Sequence, residues 1–121
     1  TELISEDTLQ NLLHGFDSSC LLSRATIQNI MFNILKALSI CSSYGIIHRN
    51  IKPSNILVGD DLQIKIINFN LATSNFAFTP SFKICGTSGY IAPEILKAAK
   101  DGILYTEKGD IFAADCIFFE M

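Results

Sequence analysis

Apolar residues recur along this chain with two alternating rhythms, and polar breaks separate them. Ile27, Ile30, Met31, Ile34, Leu35, Leu38 and Cys41 follow helical spacing and define one face. Ser23 stands ahead of them as an N-cap and Gly45 closes the run, which predicts a long helix near 24–44. A shorter helix near 8–14 follows from Asp7-Thr8 set before Leu9, Leu12 and Leu13. Between it and the long helix lies the polar link Asp17-Ser18-Ser19.

Beyond Gly45 the rhythm changes. Ile56-Leu57-Val58, then Gly59-Asp60-Asp61, then Leu62 to Ile67 reads as a β-hairpin over 56–67 with a tight turn. Residues 71–91, with Pro80, Gly86, Gly89 and many Ser and Thr, predict an irregular surface loop. Pro93 suits a helix first turn and Ile95-Leu96 continue it. Thr106 or Asp110 then opens a final helix whose apolar content runs to Met121.

Composition narrows the functional classes. The chain has 121 residues, 49% of them hydrophobic and only 17% charged. It begins at Thr1 and ends inside the run Cys116-Ile117-Phe118-Phe119, so part of a larger core is expected. A net charge of −3 with no basic stripe argues against nucleic-acid binding. No apolar run reaches the roughly 18 residues that a membrane helix needs. Cys20, Cys41, Cys85 and Cys116 are scattered, with no C-x-x-C pair and only two histidines, which speaks against zinc and for reduced cytoplasmic thiols.

Three ordered motifs carry the chemistry. Residues 48–55 read His-Arg-Asn-Ile-Lys-Pro-Ser-Asn, Asn68-Phe69-Asn70 follows thirteen residues after Asn55, and Ala92-Pro93-Glu94 comes later. The set resembles the H-R-D-L-x-x-x-N, D-F-G and A-P-E signature of protein kinases, with an amide, Asn50 or Asn68, in place of the Asp in each of the first two motifs and the closing triplet intact. Lys52, Pro53-Ser54 and Gly86-Thr87-Ser88-Gly89-Tyr90 are similar to the serine/threonine type. The resemblance implies a protein kinase-like α+β fold, of which this chain is the mainly helical large lobe with a small hairpin. A hinge would occupy 1–7, the catalytic loop 46–55, the activation segment 68–94 and the central helix the stretch from about 108. The Gly-rich loop, the β3 Lys and its αC Glu partner have no counterpart here.

The same resemblance assigns roles. Asn50 stands where the catalytic base belongs, and Lys52 where the transferred phosphate is touched. Asn55 and Asn68 stand at the Mg²⁺ positions, with Asn70 replacing a flexible glycine at a turn of positive φ. Leu57 would floor an adenine pocket, with Glu2 and Ile4 in the hinge. His48 and Phe69 would pack together. Arg49 would grip a phosphate on the activation loop, for which Thr79, Ser81 and Thr87 are candidates, Thr87 being the more structural one. Glu94 would pair with a later Arg. Asp110 would hold the catalytic-loop backbone, and Asp115 would fall where a small residue is usual, at a cost if buried unpaired.

Such enzymes take ATP and Mg²⁺. An amide is no base near neutral pH, and Mg²⁺ is usually held through carboxylates, so metal-dependent ATP binding is expected to be weak or lost. The expected function is a catalytically impaired, pseudokinase-like segment that acts by binding a regulated protein partner. An active serine/threonine kinase phosphorylating a protein substrate, and a non-autonomous kinase fragment, remain the alternatives.

Overall fold

The computed structural model describes residues 7–14, 23–59, 61–74, 84–98 and 101–121. The hinge residues Glu2 and Ile4 and the loop candidates Thr79 and Ser81 lie outside the described residues. In chain order the elements are β1 (Asp7–Thr8), α1 (Leu9–His14), α2 (Arg24–Ser43), β2 (Ile46–Ile47), β3 (Ile56–Val58), β4 (Ile64–Ile66), β5 (Thr73–Ser74), α3 (Pro93–Ala98) and α4 (Glu107–Glu120).

The long helix starts and stops for the reasons its sequence implies. Ser23 is extended, and its Oγ accepts the Thr26 N–H at 3.1 Å, satisfying one orphan donor of the first turn. At the other end Gly45 takes φ +69°, a left-handed conformation that terminates the helix without a Cβ penalty. The apolar stripe buries Ile30, Ile34 and Leu38 completely or nearly so, while Leu35, at its edge, remains partly open.

The hairpin runs from Ile56 to Ile66. β3 and β4 pair antiparallel, Ile56 opposite Ile66 and Val58 opposite Ile64. Ile56 and Val58 face the core and Leu57 the other side, the period-2 alternation of a pleated strand. Two pairings lay beyond the periodicity. Asp7–Thr8 adds a third strand to β3, so the stretch before α1 is strand rather than simple helix cap. Thr73–Ser74 pairs with Ile46–Ile47, so the start of the predicted irregular loop is ordered against β2. Two-residue strands are too short to leave a periodic signal, because their order comes from the partner strand.

One core joins these elements. Leu9, Ile30, Ile34, Leu38, Ile51, Ile56, Val58, Ala113, Ala114 and Ile117 form a buried cluster between α1, α2, the hairpin and α4. Small residues let α4 approach closely: Ala113 and Ala114 are buried, and a Cβ on Gly109 would lie 3.2 Å from Ile95 Cδ1. Thr106 is the N-cap of α4, accepting the Lys108 N–H at 3.3 Å, and Asp110 sits inside the first turn. Asp115 is exposed, so the desolvation cost foreseen for it does not arise; Ala114, its neighbour, takes the buried place. Near the other end of α4, the Tyr90 hydroxyl donates to Glu120. Burial first, and that bond second, push the Tyr90 hydroxyl up to about 12.

Replacing Ile34 by Ala should cost about 2–5 kcal/mol, a buried-methyl loss plus a cavity. Phe119→Ser, at a position 93% exposed on α4, should change stability by no more than about 0.5 kcal/mol. Urea midpoints of the two variants against the parent protein test the pair.

Candidate active site

The segment 48–55 is shaped by a buried carboxylate. Asp110, 5% exposed, accepts the His48 N–H at 2.8 Å through Oδ2 and the Arg49 N–H at 3.0 Å through Oδ1. Arg49 has φ +71°, a left-handed conformation unfavourable for a residue with a Cβ, so the loop needs this grip. Burial raises the Asp110 carboxyl above its ordinary range, and the two backbone N–H bonds act in the opposite sense.

His48 forms the second tie. Its Nδ1 accepts the Asn50 N–H at 3.1 Å, which leaves Nε2 to donate to the Ile67 carbonyl at 2.9 Å. Its ring meets Phe69 edge-on, with centroids 4.8 Å apart. The fully buried imidazole thus links the 48–55 segment to the turn after β4.

The two amide positions converge. The Asn55 Nδ2 donates to the Asn50 carbonyl at 2.8 Å, closing the loop on itself. That commitment turns Asn55 Oδ1 toward Asn68, whose Nδ2 lies 3.5 Å away. Asn68 is left-handed, with φ +65° and ψ +64°. Asn70, by contrast, lies in the 3₁₀ turn Phe69–Leu71 with ordinary negative φ, so the positive-φ turn foreseen at Asn70 falls at Asn68 instead. A short polar side chain makes asparagine tolerable there.

At Asn50 the acceptor oxygen is already engaged. Thr87 Oγ1 donates to Asn50 Oδ1 at 2.8 Å, so the amide nitrogen occupies the other branch of the side chain. An amide in that orientation presents N–H donors, with neither a basic lone pair nor a charge on offer. Thr87 thereby ties the returning segment to the Asn50 side chain. Lys52 is half-buried and leads into the 3₁₀ turn Pro53–Asn55. Leu57, half-buried on the outer face of β3, is paired with Thr8 and Lys65. Glu94 is exposed in the first turn of α3.

The donor set does not suit Mg²⁺. Asn55 and Asn68 supply neutral amides, and among the described residues no three of His, Cys, Asp and Glu lie close enough to hold a metal ion. Mg²⁺ is a hard cation that is usually bound through one or two carboxylates.

Spacing gave no hint of Tyr105. Its ring lies under Arg49, 4.8 Å from guanidinium carbon to centroid, and its hydroxyl accepts the Cys85 N–H at 2.9 Å. An aromatic residue between a surface loop and a helix cap carries no periodic mark, so only the fold reveals it.

Comparison with known proteins matches this arrangement to a family. The protein kinase domain model matches residues 1–121. The chain is 36% identical over 102 residues to the liver/testis phosphorylase b kinase gamma catalytic chain of Mus musculus, covering 83% of this chain and 25% of that protein. It is 34% identical over 123 residues to the probable serine/threonine-protein kinase drkD of Dictyostelium discoideum, covering 100% of this chain and 9% of that protein. To the mitogen-activated protein kinase HOG1 of Exserohilum turcicum it is 36% identical over 121 residues, covering 100% of this chain and 34% of that protein. The chain belongs to the protein kinase family, among relatives of the serine/threonine type, and spans between 9% and 34% of the length of these three.

Asp110→Asn should destabilise the fold by about 1–3 kcal/mol, because an NH₂ group replaces one of the two acceptors and strands a buried N–H. The pH dependence has a definite sign. Because the folded-state value is raised above the ordinary 3.8, the contribution of Asp110 is fully present below that pH. It is lost as pH climbs through the raised value. Unfolding free energies of parent and Asp110→Asn protein from pH 3 upward should therefore show the parent's advantage shrinking over that window; an advantage that grows would contradict the sign.

Proposed function

We propose that this chain is a pseudokinase-type segment of a serine/threonine kinase-like protein, impaired in phosphoryl transfer and acting by binding a regulated protein partner. The observation that carries it is the pair Asn50 and Asn68. Family members place a carboxylate at the first to take the substrate hydroxyl proton and at the second to hold Mg²⁺. Here the Asn50 oxygen is held by Thr87, and Asn68 and Asn55 face each other as neutral amides. General-base help is worth about 10²–10⁴ in rate, and phosphoryl transfer leans still more on metal and electrostatics. Weak or absent Mg²⁺-dependent ATP binding belongs to the same reading.

The surrounding frame is that of a formed site. Asp110, His48, Phe69 and Asn55 make the contacts described above, and Lys52 and the Ala92-Pro93-Glu94 triplet are retained. That retention favours a second reading, an active kinase that draws its missing charge from another residue. Cys41, Cys85 and Cys116 stand outside any disulfide among the described residues, which fits a reducing, cytoplasmic setting, and among the described residues no helix is long and apolar enough to cross a membrane.

Phosphotransfer to a generic Ser/Thr substrate protein with ATP and Mg²⁺ separates the two. The full chain should stay far below the roughly 1–100 s⁻¹ of ordinary kinases. In any protein that carries a complete nucleotide lobe with this segment, Asn50→Asp with Asn68→Asp should raise the rate by about 10² or more. An unchanged rate in the double variant, on top of ordinary turnover in the parent, would favour the active kinase.

A further inference from the structure

Arg49 is approached by three segments far from it in sequence. Its Nε donates to the Leu71 carbonyl at 2.6 Å, at the start of the activation segment. Its guanidinium stacks on Tyr105, ahead of α4, and the Tyr105 hydroxyl holds the Cys85 N–H near the far end of that segment. Next to Cys85, Gly86 has φ +119°, and a Cβ there would stand 3.0 Å from the Arg49 carbonyl oxygen. The backbone of the returning segment therefore lies directly on the catalytic loop.

We propose that Tyr105 is a positioning residue which, together with the Leu71 carbonyl, holds Arg49 and docks both ends of the activation segment on the catalytic loop without a phosphate group. The chemistry suits this. A guanidinium is planar, so one face can lie on an aromatic ring while Nε–H points in its own plane to a carbonyl. Both partners are neutral, and neither needs a modification to be present. A phosphate partner would instead add charge and charge-assisted bonds. Tyr105 also couples the two ends of the segment, since the same side chain serves Arg49 through its ring and Cys85 through its oxygen. Burial raises the Tyr105 hydroxyl above its ordinary value, which keeps it protonated and its ring uncharged under ordinary conditions.

Hydrogen exchange of backbone amides in the full chain tests the proposal. Ala72, which bonds to Phe69, and Thr73, paired with β2, report the near end; Cys85 and Tyr90, the latter bonded to Thr87, report the far end. Tyr105→Leu should speed exchange at both ends by about tenfold, while amides of α2 keep their protection. Tyr105→Phe keeps the ring and loses the oxygen. It should leave Ala72 and Thr73 within about threefold of the parent and loosen Cys85 alone. Phosphatase treatment of the parent should change neither end.

Three results would overturn the proposal: parent-like exchange in Tyr105→Leu, equal loosening of both ends in Tyr105→Phe and Tyr105→Leu, or loss of protection after phosphatase. Should Tyr105→Leu fail to fold, Arg49→Lys takes its place, with loosening at both ends expected and parent-like exchange decisive against. Phosphotransfer is not read in this experiment, so the proposal fails or stands separately from the impaired-catalysis reading.

Discussion

Everything at the site hangs from one buried carboxylate bonded to two consecutive backbone N–H groups. Asp110 reaches from the first turn of α4 to His48 and Arg49, more than sixty residues earlier in the chain. A charged group in such a place costs desolvation, and its two hydrogen bonds offset that cost only while the loop keeps its shape. The left-handed Arg49 backbone is therefore locked from below by α4. Arg49's side chain then becomes available on the opposite side, toward Leu71 and Tyr105.

The second constraint is the imidazole of His48. With Nδ1 accepting from the loop and Nε2 donating to Ile67, it fixes the separation between the Asn50 backbone and the turn that carries Asn68. The three asparagines are thus placed by a scaffold that does not depend on their charge. A family member with carboxylates and this chain with amides can share one shape, because an amide and a carboxylate are nearly isosteric. They differ in what they offer: an anion and acceptors in one case, donors and a neutral oxygen in the other. Fold and chemistry separate cleanly at these two positions, which is why membership of the family does not by itself settle activity.

Most of the scaffold was legible because its signals are local or periodic. Seven apolar positions at helical spacing, a serine before them and a glycine after them define α2 by geometry that any helix must obey. The hairpin and the Pro93 start follow from alternation and turn chemistry in the same way, whereas the histidine, asparagine and aspartate positions of the site were implied by the resemblance of the motifs to the kinase signature. Asn68 and Asn70 show where that reading stops. Both can tolerate positive φ, and the sequence offers no means of choosing; the 3₁₀ turn starting at Phe69 puts the strain on Asn68.

By itself, then, the sequence determined the helices and hairpin, the family and the replacement of two carboxylates by amides, since periodicity and residue identity are properties of the chain alone. Tertiary structure decided which branch of each amide points where, the pairing of β5 with β2, the exposure of Asp115 and the seat of Arg49 on Tyr105. Each of these depends on groups distant in sequence meeting at hydrogen-bond or stacking distance, and no local pattern encodes a contact whose partner lies tens of residues away.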